Sequence, residues 1–154
     1  MIILSKNVSD THKLASIIAS LVKKGDLITL NADLGGGKTT FTQGLALALG
    51  VKETVNSPTF NIVKCYFDAK IPLCHIDAYR LEGIYNDIGL DEYLMGDFLV
   101  VTEWGEFINY LLPYNRLEIN IKRISDNERE ITINGIGEYY QNIVKEVEKL
   151  WAIN

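Results

Sequence analysis

Apolar residues recur along this chain in two rhythms, one of period two and one near 3.6, and their alternation predicts the elements. Ile2 to Leu4 predicts a short strand, and Ser9 then reads as the cap of a helix carrying Leu14, Ile17, Ile18, Leu21 and Val22 at helical spacing. Leu27 to Leu30 is an apolar strand, and Lys38 to Leu49 a helix ended by Gly50. A polar connection over 51–59 leads to two strands, Phe60 to Phe67 and Ile71 to Ile76, predicted to pair as a hairpin around Asp68-Ala69-Lys70. Tyr79 to Asn86 and Leu90 to Met95 predict short helices. Phe98 to Thr102 is a β-rich apolar run suited to a buried parallel strand, followed by a helical segment from Trp104 to Leu112 that Pro113 stops. A second hairpin spans Arg116 to Ile124 and Arg129 to Ile133, and a last helix runs from about Glu138 to Trp151.

This order of strands and helices predicts an α/β fold: a P-loop NTPase-like three-layer domain whose mostly parallel central sheet gains antiparallel hairpin strands. The P-loop reading rests on residues 31 to 40, Asn-Ala-Asp-Leu-Gly-Gly-Gly-Lys-Thr-Thr, which lie between a strand and a helix. Backbone N–H groups around Gly35 to Thr39 suit a phosphate nest, reinforced by the positive end of the helix dipole, and Asp33, Leu34, Gly35, Gly36, Gly37 and Thr40 are candidate nucleotide-binding residues. Lys38 would reach the β- and γ-phosphates and the Thr39 hydroxyl would sit on Mg²⁺. Ala32 stands where the full pattern G-x-x-x-x-G-K-[ST] has its first glycine. A positive φ there would cost alanine roughly 1 kcal/mol or more. At negative φ it costs little.

Composition narrows the classes. The 154 residues fit one domain, 1–154, and a hydrophobic content of 47% with 23% charge excludes disorder as the main state. A net charge of −5, with eleven scattered lysines and four arginines, argues against a chain that grips nucleic acid alone. No apolar run approaches membrane-spanning length, and Met1-Ile2-Ile3-Leu4-Ser5-Lys6 lacks the flanks of a signal peptide, so a cytoplasmic protein is expected. Cys65 and Cys74 flank the first hairpin turn. A symmetric turn would set them opposite one another, and two buried thiols are the expected state.

A P-loop needs an acidic partner near the metal, and two candidates end apolar strands: Asp77 and Glu103. Each could equally serve the helix that follows it, Asp77 as a cap and Glu103 through the dipole. Either could bind Mg²⁺ or orient the attacking water. In Ser57-Pro58-Thr59 the threonine hydroxyl could sense the γ-phosphate, or simply enter the next strand. Trp104 would cover the nucleotide region or fill the core, the commoner fate of an isolated aromatic. Arg80 and Arg129 could approach phosphate or base, although most arginines of this kind are surface residues.

Together these segments resemble one family. Asp33-Leu34-Gly35-Gly36-Gly37-Lys38-Thr39-Thr40, Ser57-Pro58-Thr59-Phe60, His75-Ile76-Asp77-Ala78-Tyr79-Arg80 and Glu103-Trp104 occur in the order and spacing of the TsaE family, and the likeness covers about residues 9 to 133. Ala32 and Thr102 depart from its pattern. The resemblance implies a Mg²⁺-dependent ATPase, slow alone and activated by the TsaB and TsaD proteins. With them it would support threonylcarbamoylation of adenosine in tRNA, which it meets only through the complex. By position, Lys38 would bind phosphate, Thr39 and Glu103 would hold Mg²⁺, Asp77 would be the Walker-B-like acid, Thr59 would belong to a switch-like loop, and Thr11 would line the nucleotide site. The alternative is a small-molecule or nucleotide kinase, against which the scarcity of arginine for a phosphate lid argues. A GTPase is disfavoured by the lack of an Asn-Lys-x-Asp segment, and only Ala32 suggests a degenerate binding module.

Overall fold

Two short apolar strands, β2 (Leu27–Ala32) and β5 (Leu99–Glu103), lie side by side in the middle of the sheet, paired in parallel from Leu27 with Val100 to Leu30 with Glu103. Nearly continuous apolar runs suit such interior strands, because both of their faces are covered. β4 (Leu73–Asp77) extends the sheet parallel to β5, and β6 (Arg116–Arg123) extends it parallel to β2. Antiparallel strands finish both sides: β7 (Arg129–Ile136) beside β6, β1 (Ile2–Ser5) beside β7, and β3 (Val63–Tyr66) beside β4. The order is β1-β7-β6-β2-β5-β4-β3. This computed structural model describes residues 1–33, 35–58, 61–85 and 88–153.

Alternation along the strands divides the core between the two faces. Ile28, Leu30, Leu73, Leu99 and Val101 join one apolar cluster with residues of α1 (Val8–Leu21), α2 (Lys38–Leu49) and α4 (Glu138–Ile153). Leu27, Cys74, Ile76 and Val100 join another. That second face is covered by α3 (Asp91–Leu94) and two 3-10 turns, Tyr79–Leu81 and Gly105–Ile108. The three layers anticipated from the pattern are present, one of them thin. Among the described residues no helix is long and apolar enough to cross a membrane.

Three local expectations need correction. The cap of α1 is Asn7, not Ser9: its side chain accepts the Asp10 N–H at 2.8 Å, and Asp10 in turn accepts the Lys6 N–H at 2.9 Å. The segments expected as helices over 79–86 and 104–112 form only the two short 3-10 turns among their described residues. A positive φ at Gly83 turns the chain out of the first, and a left-handed Trp104 starts the second. Cys65 and Cys74 are direct partners in the β3–β4 register and are joined as a disulfide, in place of the two thiols expected.

Thr102 marks a local conflict in the core. It is fully buried in β5, opposite Thr29, and its hydroxyl has no partner among the described residues. A buried hydroxyl without a partner costs about 1–3 kcal/mol. Thr102→Val removes the hydroxyl at constant shape, so we expect a gain of about 1 kcal/mol in stability. Thermal melting checks this, and an unchanged or lower midpoint would show that the hydroxyl is satisfied.

Candidate functional site

The parallel strands β2, β5 and β4 all deliver their carboxyl ends to one edge of the sheet, where open α/β sheets bind ligands. β2 ends at Ala32, β5 at Glu103 and β4 at Asp77, the last two as register partners. The glycine-rich loop leaves β2 at this edge and enters α2 at Lys38. Gly37 adopts φ 112°, a left-handed conformation that favours glycine, at the cap of α2. Gly36 is required by space instead: an added Cβ would lie 2.7 Å from the Ala32 Cβ and 2.8 Å from the Asp33 carbonyl oxygen. Ala32 itself is free of strain, because Trp104 is the only non-glycine with positive φ among the described residues.

The loop is pinned from both ends. Gly36 N–H donates to Asp33 O at 2.8 Å, and Arg129 of β7 donates from Nε to the Gly36 carbonyl at 2.9 Å. Arg129 therefore reaches the loop itself, rather than lying on the general surface. Lys38 is nearly buried and bends back over the loop, donating from Nζ to Ala32 O at 3.2 Å. Its Nζ also lies 3.9 Å from Glu103 Oε1 and 4.3 Å from the centre of the Trp104 ring.

Trp104 turns on a backbone of φ 59° and ψ 40°. Such a conformation costs a bulky residue about 1–2 kcal/mol, and it sits directly after Glu103, where strain commonly accompanies function. The indole is half-buried, stacks on Phe107 at 5.7 Å and meets Tyr79 at 5.1 Å. It forms a cavity wall instead of filling the core.

That cavity, of about 430 Å³, gathers Lys38, Thr39, Ser57, Asp77, Glu103 and Trp104. Asp77 uses both oxygens within it, accepting the Ser57 hydroxyl at 3.2 Å and the Tyr79 N–H at 3.1 Å. It thus caps the following turn and holds the Ser57-Pro58 segment at once. Glu103 is buried and accepts from His75 Nε2 through Oε2, leaving Oε1 toward Lys38. The cavity on the other side of the loop is lined by Asn7, Thr11, Gly37, Thr40, Asn127 and Arg129. Thr11 is buried there, its hydroxyl 2.7 Å from that of Ser5.

Most expected site residues therefore meet around the loop: Lys38, Thr39, Asp77, Glu103, Trp104 and Gly35 on one side, Thr11, Gly37, Thr40 and Arg129 on the other. Arg80 also lines the first cavity. Asp33 is exposed and contributes its carbonyl to the turn. Leu34 and Thr59 lie outside the described residues. His75 is the contributor that residue types alone did not single out. Its signal was the two-residue spacing to Asp77 on a strand, which sends both side chains to one face.

Strand, glycine-rich loop, helix and two strand-end carboxylates define an α/β domain with one seven-stranded sheet, parallel in its middle, and a candidate ligand site at its carboxyl edge. Comparison with known proteins narrows this further. The model of the family described as threonylcarbamoyl adenosine biosynthesis protein TsaE matches residues 5–131. The chain belongs to the TsaE family. It is 46% identical over 143 residues to the tRNA threonylcarbamoyladenosine biosynthesis protein TsaE of Bacillus subtilis, covering 93% of this chain and 90% of that one. The protein of the same name from Streptomyces coelicolor is 41% identical over 136 residues, with 82% and 91% covered. The crystal structure of YdiB from Bacillus subtilis superposes with a TM-score of 0.83 at 40% identity, covering 97% of this chain and 94% of that one.

Proposed function

We propose that this chain is a Mg²⁺-dependent ATPase of tRNA threonylcarbamoyladenosine biosynthesis, slow alone and activated by the TsaB and TsaD proteins. Residues 1–154 act as one ATPase domain in the cytoplasm, and tRNA is met only through the assembly. The observation that carries the chemistry is one cavity holding Lys38, Thr39, Asp77 and Glu103 at the carboxyl edge of the sheet. Family membership and the names of the relatives support the pathway.

The loop N–H groups and Lys38 bind the phosphates, and the nucleoside occupies the cavity beside Thr11, Thr40 and Arg129. Asp33, Leu34, Gly35, Gly36 and Gly37 supply the loop backbone. The donor set fits magnesium: a threonine hydroxyl and carboxylates, all oxygen, beside a phosphate-binding loop. Among the described residues no three of His, Cys, Asp and Glu cluster as a metal cage. Magnesium needs no such cage, since it is held through one or two carboxylates together with substrate phosphates and water. Thr39 and Glu103 would hold it, with Asp77 close by, and it would neutralise charge developing on the phosphates.

Lys38 must leave Ala32 O and Glu103 to reach a phosphate, so nucleotide entry frees Oε1 of Glu103. Asp77 orients the segment at Ser57, and Thr59 would sense the γ-phosphate. Trp104 screens this side from water.

Following the γ-phosphate of ATP tests the reading against a kinase. Release as inorganic phosphate supports it. Transfer by the isolated protein to a small hydroxyl acceptor would replace it with the kinase reading.

A further inference from the structure

His75 is fully buried in β4, and among the described residues only one of its ring nitrogens has a partner. Nε2 meets Oε2 of Glu103, while Nδ1 has no partner among the described residues. The register explains the meeting. His75 is level with Val101 and Asp77 with Glu103, so the histidine lies diagonally across from the carboxylate on the same face. An ionised carboxylate only accepts, so the ring proton between them belongs to Nε2. A buried ring with one nitrogen unpartnered among the described residues is a costly way to fill space; an apolar side chain would do so at less cost.

We propose that His75 is a positioning residue that fixes the Glu103 carboxylate through Oε2 so that Oε1 alone is presented to the cation and phosphates of the site. The proposal rests on the ATPase reading above and deepens it. In this structure Glu103 has two neighbours of opposite fates. Lys38 stands 3.9 Å from Oε1 and is drawn away by phosphates, whereas His75 cannot move out of the sheet. Once nucleotide has taken Lys38, the histidine is the contact that keeps Glu103 from turning. Partners that hold a ligating carboxylate commonly change metal affinity or activity 10- to 100-fold when removed.

The test compares wild-type protein with His75→Leu, which fills the space without a donor, and His75→Gln, whose amide N–H can still reach Oε2. ADP binding is titrated calorimetrically over a series of Mg²⁺ concentrations, and kcat for ATP is measured in parallel. His75→Leu is expected to bind Mg²⁺-free ADP within about threefold of wild type. Its Mg²⁺ half-saturation rises and its kcat falls, each by about 10-fold or more. His75→Gln recovers most of both. Thermal melting monitors folding; should His75→Leu not fold, His75→Asn, too short to reach Oε2, takes its place. Wild-type Mg²⁺ half-saturation in the Leu (or Asn) variant overturns the proposal. So does equal impairment of the Gln variant, or a loss of Mg²⁺-free ADP binding that matches the loss of kcat, because either marks a purely structural role. Magnesium-independent ADP binding by the wild-type protein overturns the metal reading, and this proposal with it.

Discussion

Lys38→Ala is expected to abolish measurable nucleotide binding while leaving the fold intact. The side chain is nearly buried and folds a cation back over the loop, with Nζ 3.2 Å from Ala32 O. Charge-assisted hydrogen bonds to phosphate are about twice as strong as neutral ones. Losing two such contacts, at about 1.5–3 kcal/mol each, corresponds to a 10²- to 10⁴-fold weaker complex. Alanine suits the first turn of α2, so helix propensity does not suffer. Calorimetric titration with ADP checks the result. Near-wild-type affinity would mean that Lys38 serves the apo structure, through Ala32, Glu103 and Trp104, and not the phosphates.

Glu103→Ala is expected to separate binding from turnover. The cavity proposed for the nucleoside and the loop do not include Glu103, so the affinity for Mg²⁺-free ADP should stay within a few-fold. ATP hydrolysis should fall by about 10²- to 10³-fold, the usual loss when one preorganised electrostatic group is removed. The geometry favours Glu103 over Asp77 for this role. Both Asp77 oxygens already accept protein hydrogen bonds, from Ser57 and from the Tyr79 backbone, whereas among the described residues Oε1 of Glu103 faces only Lys38, at 3.9 Å. Wild-type turnover by the Glu103 variant would move the role to Asp77. Glu103→Gln is a useful companion, because its carbonyl can still accept from His75.

Much of this architecture was legible because it follows from local periodicity. α2 runs from Lys38 to Leu49 as its pattern and Gly50 require, and β6 and β7 follow their alternation. Family membership was legible from the spacing of four short segments, and the matched residues 5–131 agree closely with the likeness seen over 9 to 133. Where the reading went astray, two local solutions competed or a long-range partner decided. Asn7 and Ser9 are both good caps, and only the reciprocal bonding of Asn7, Asp10 and Lys6 picks the first. Residues 104 to 112 have a helical pattern, but the backbone at Trp104 is left-handed, which places its ring beside Lys38. The cysteine pair depends on the β3–β4 register, and His75 depends on which carboxylate β5 brings beside it. Spacing within β4 puts His75 on the face of Asp77, but neither the disulfide nor the contact with Glu103 follows without the neighbouring strand.

Ala32 shows how a departure from a motif is read through its backbone. With no positive φ at that position the missing glycine carries no strain, and the alanine methyl instead closes the space beside Gly36.

The central claim is that the cavity around Lys38 and Glu103 hydrolyses ATP in the service of a larger assembly. Steady-state phosphate release from Mg²⁺–ATP, measured on this protein alone and again with the TsaB and TsaD proteins present, tests it most directly. The account predicts slow release alone, a clear acceleration with both partners, and loss of that acceleration in the Glu103→Ala variant. An unchanged rate on adding the partners, or an acceleration that survives without Glu103, would contradict it.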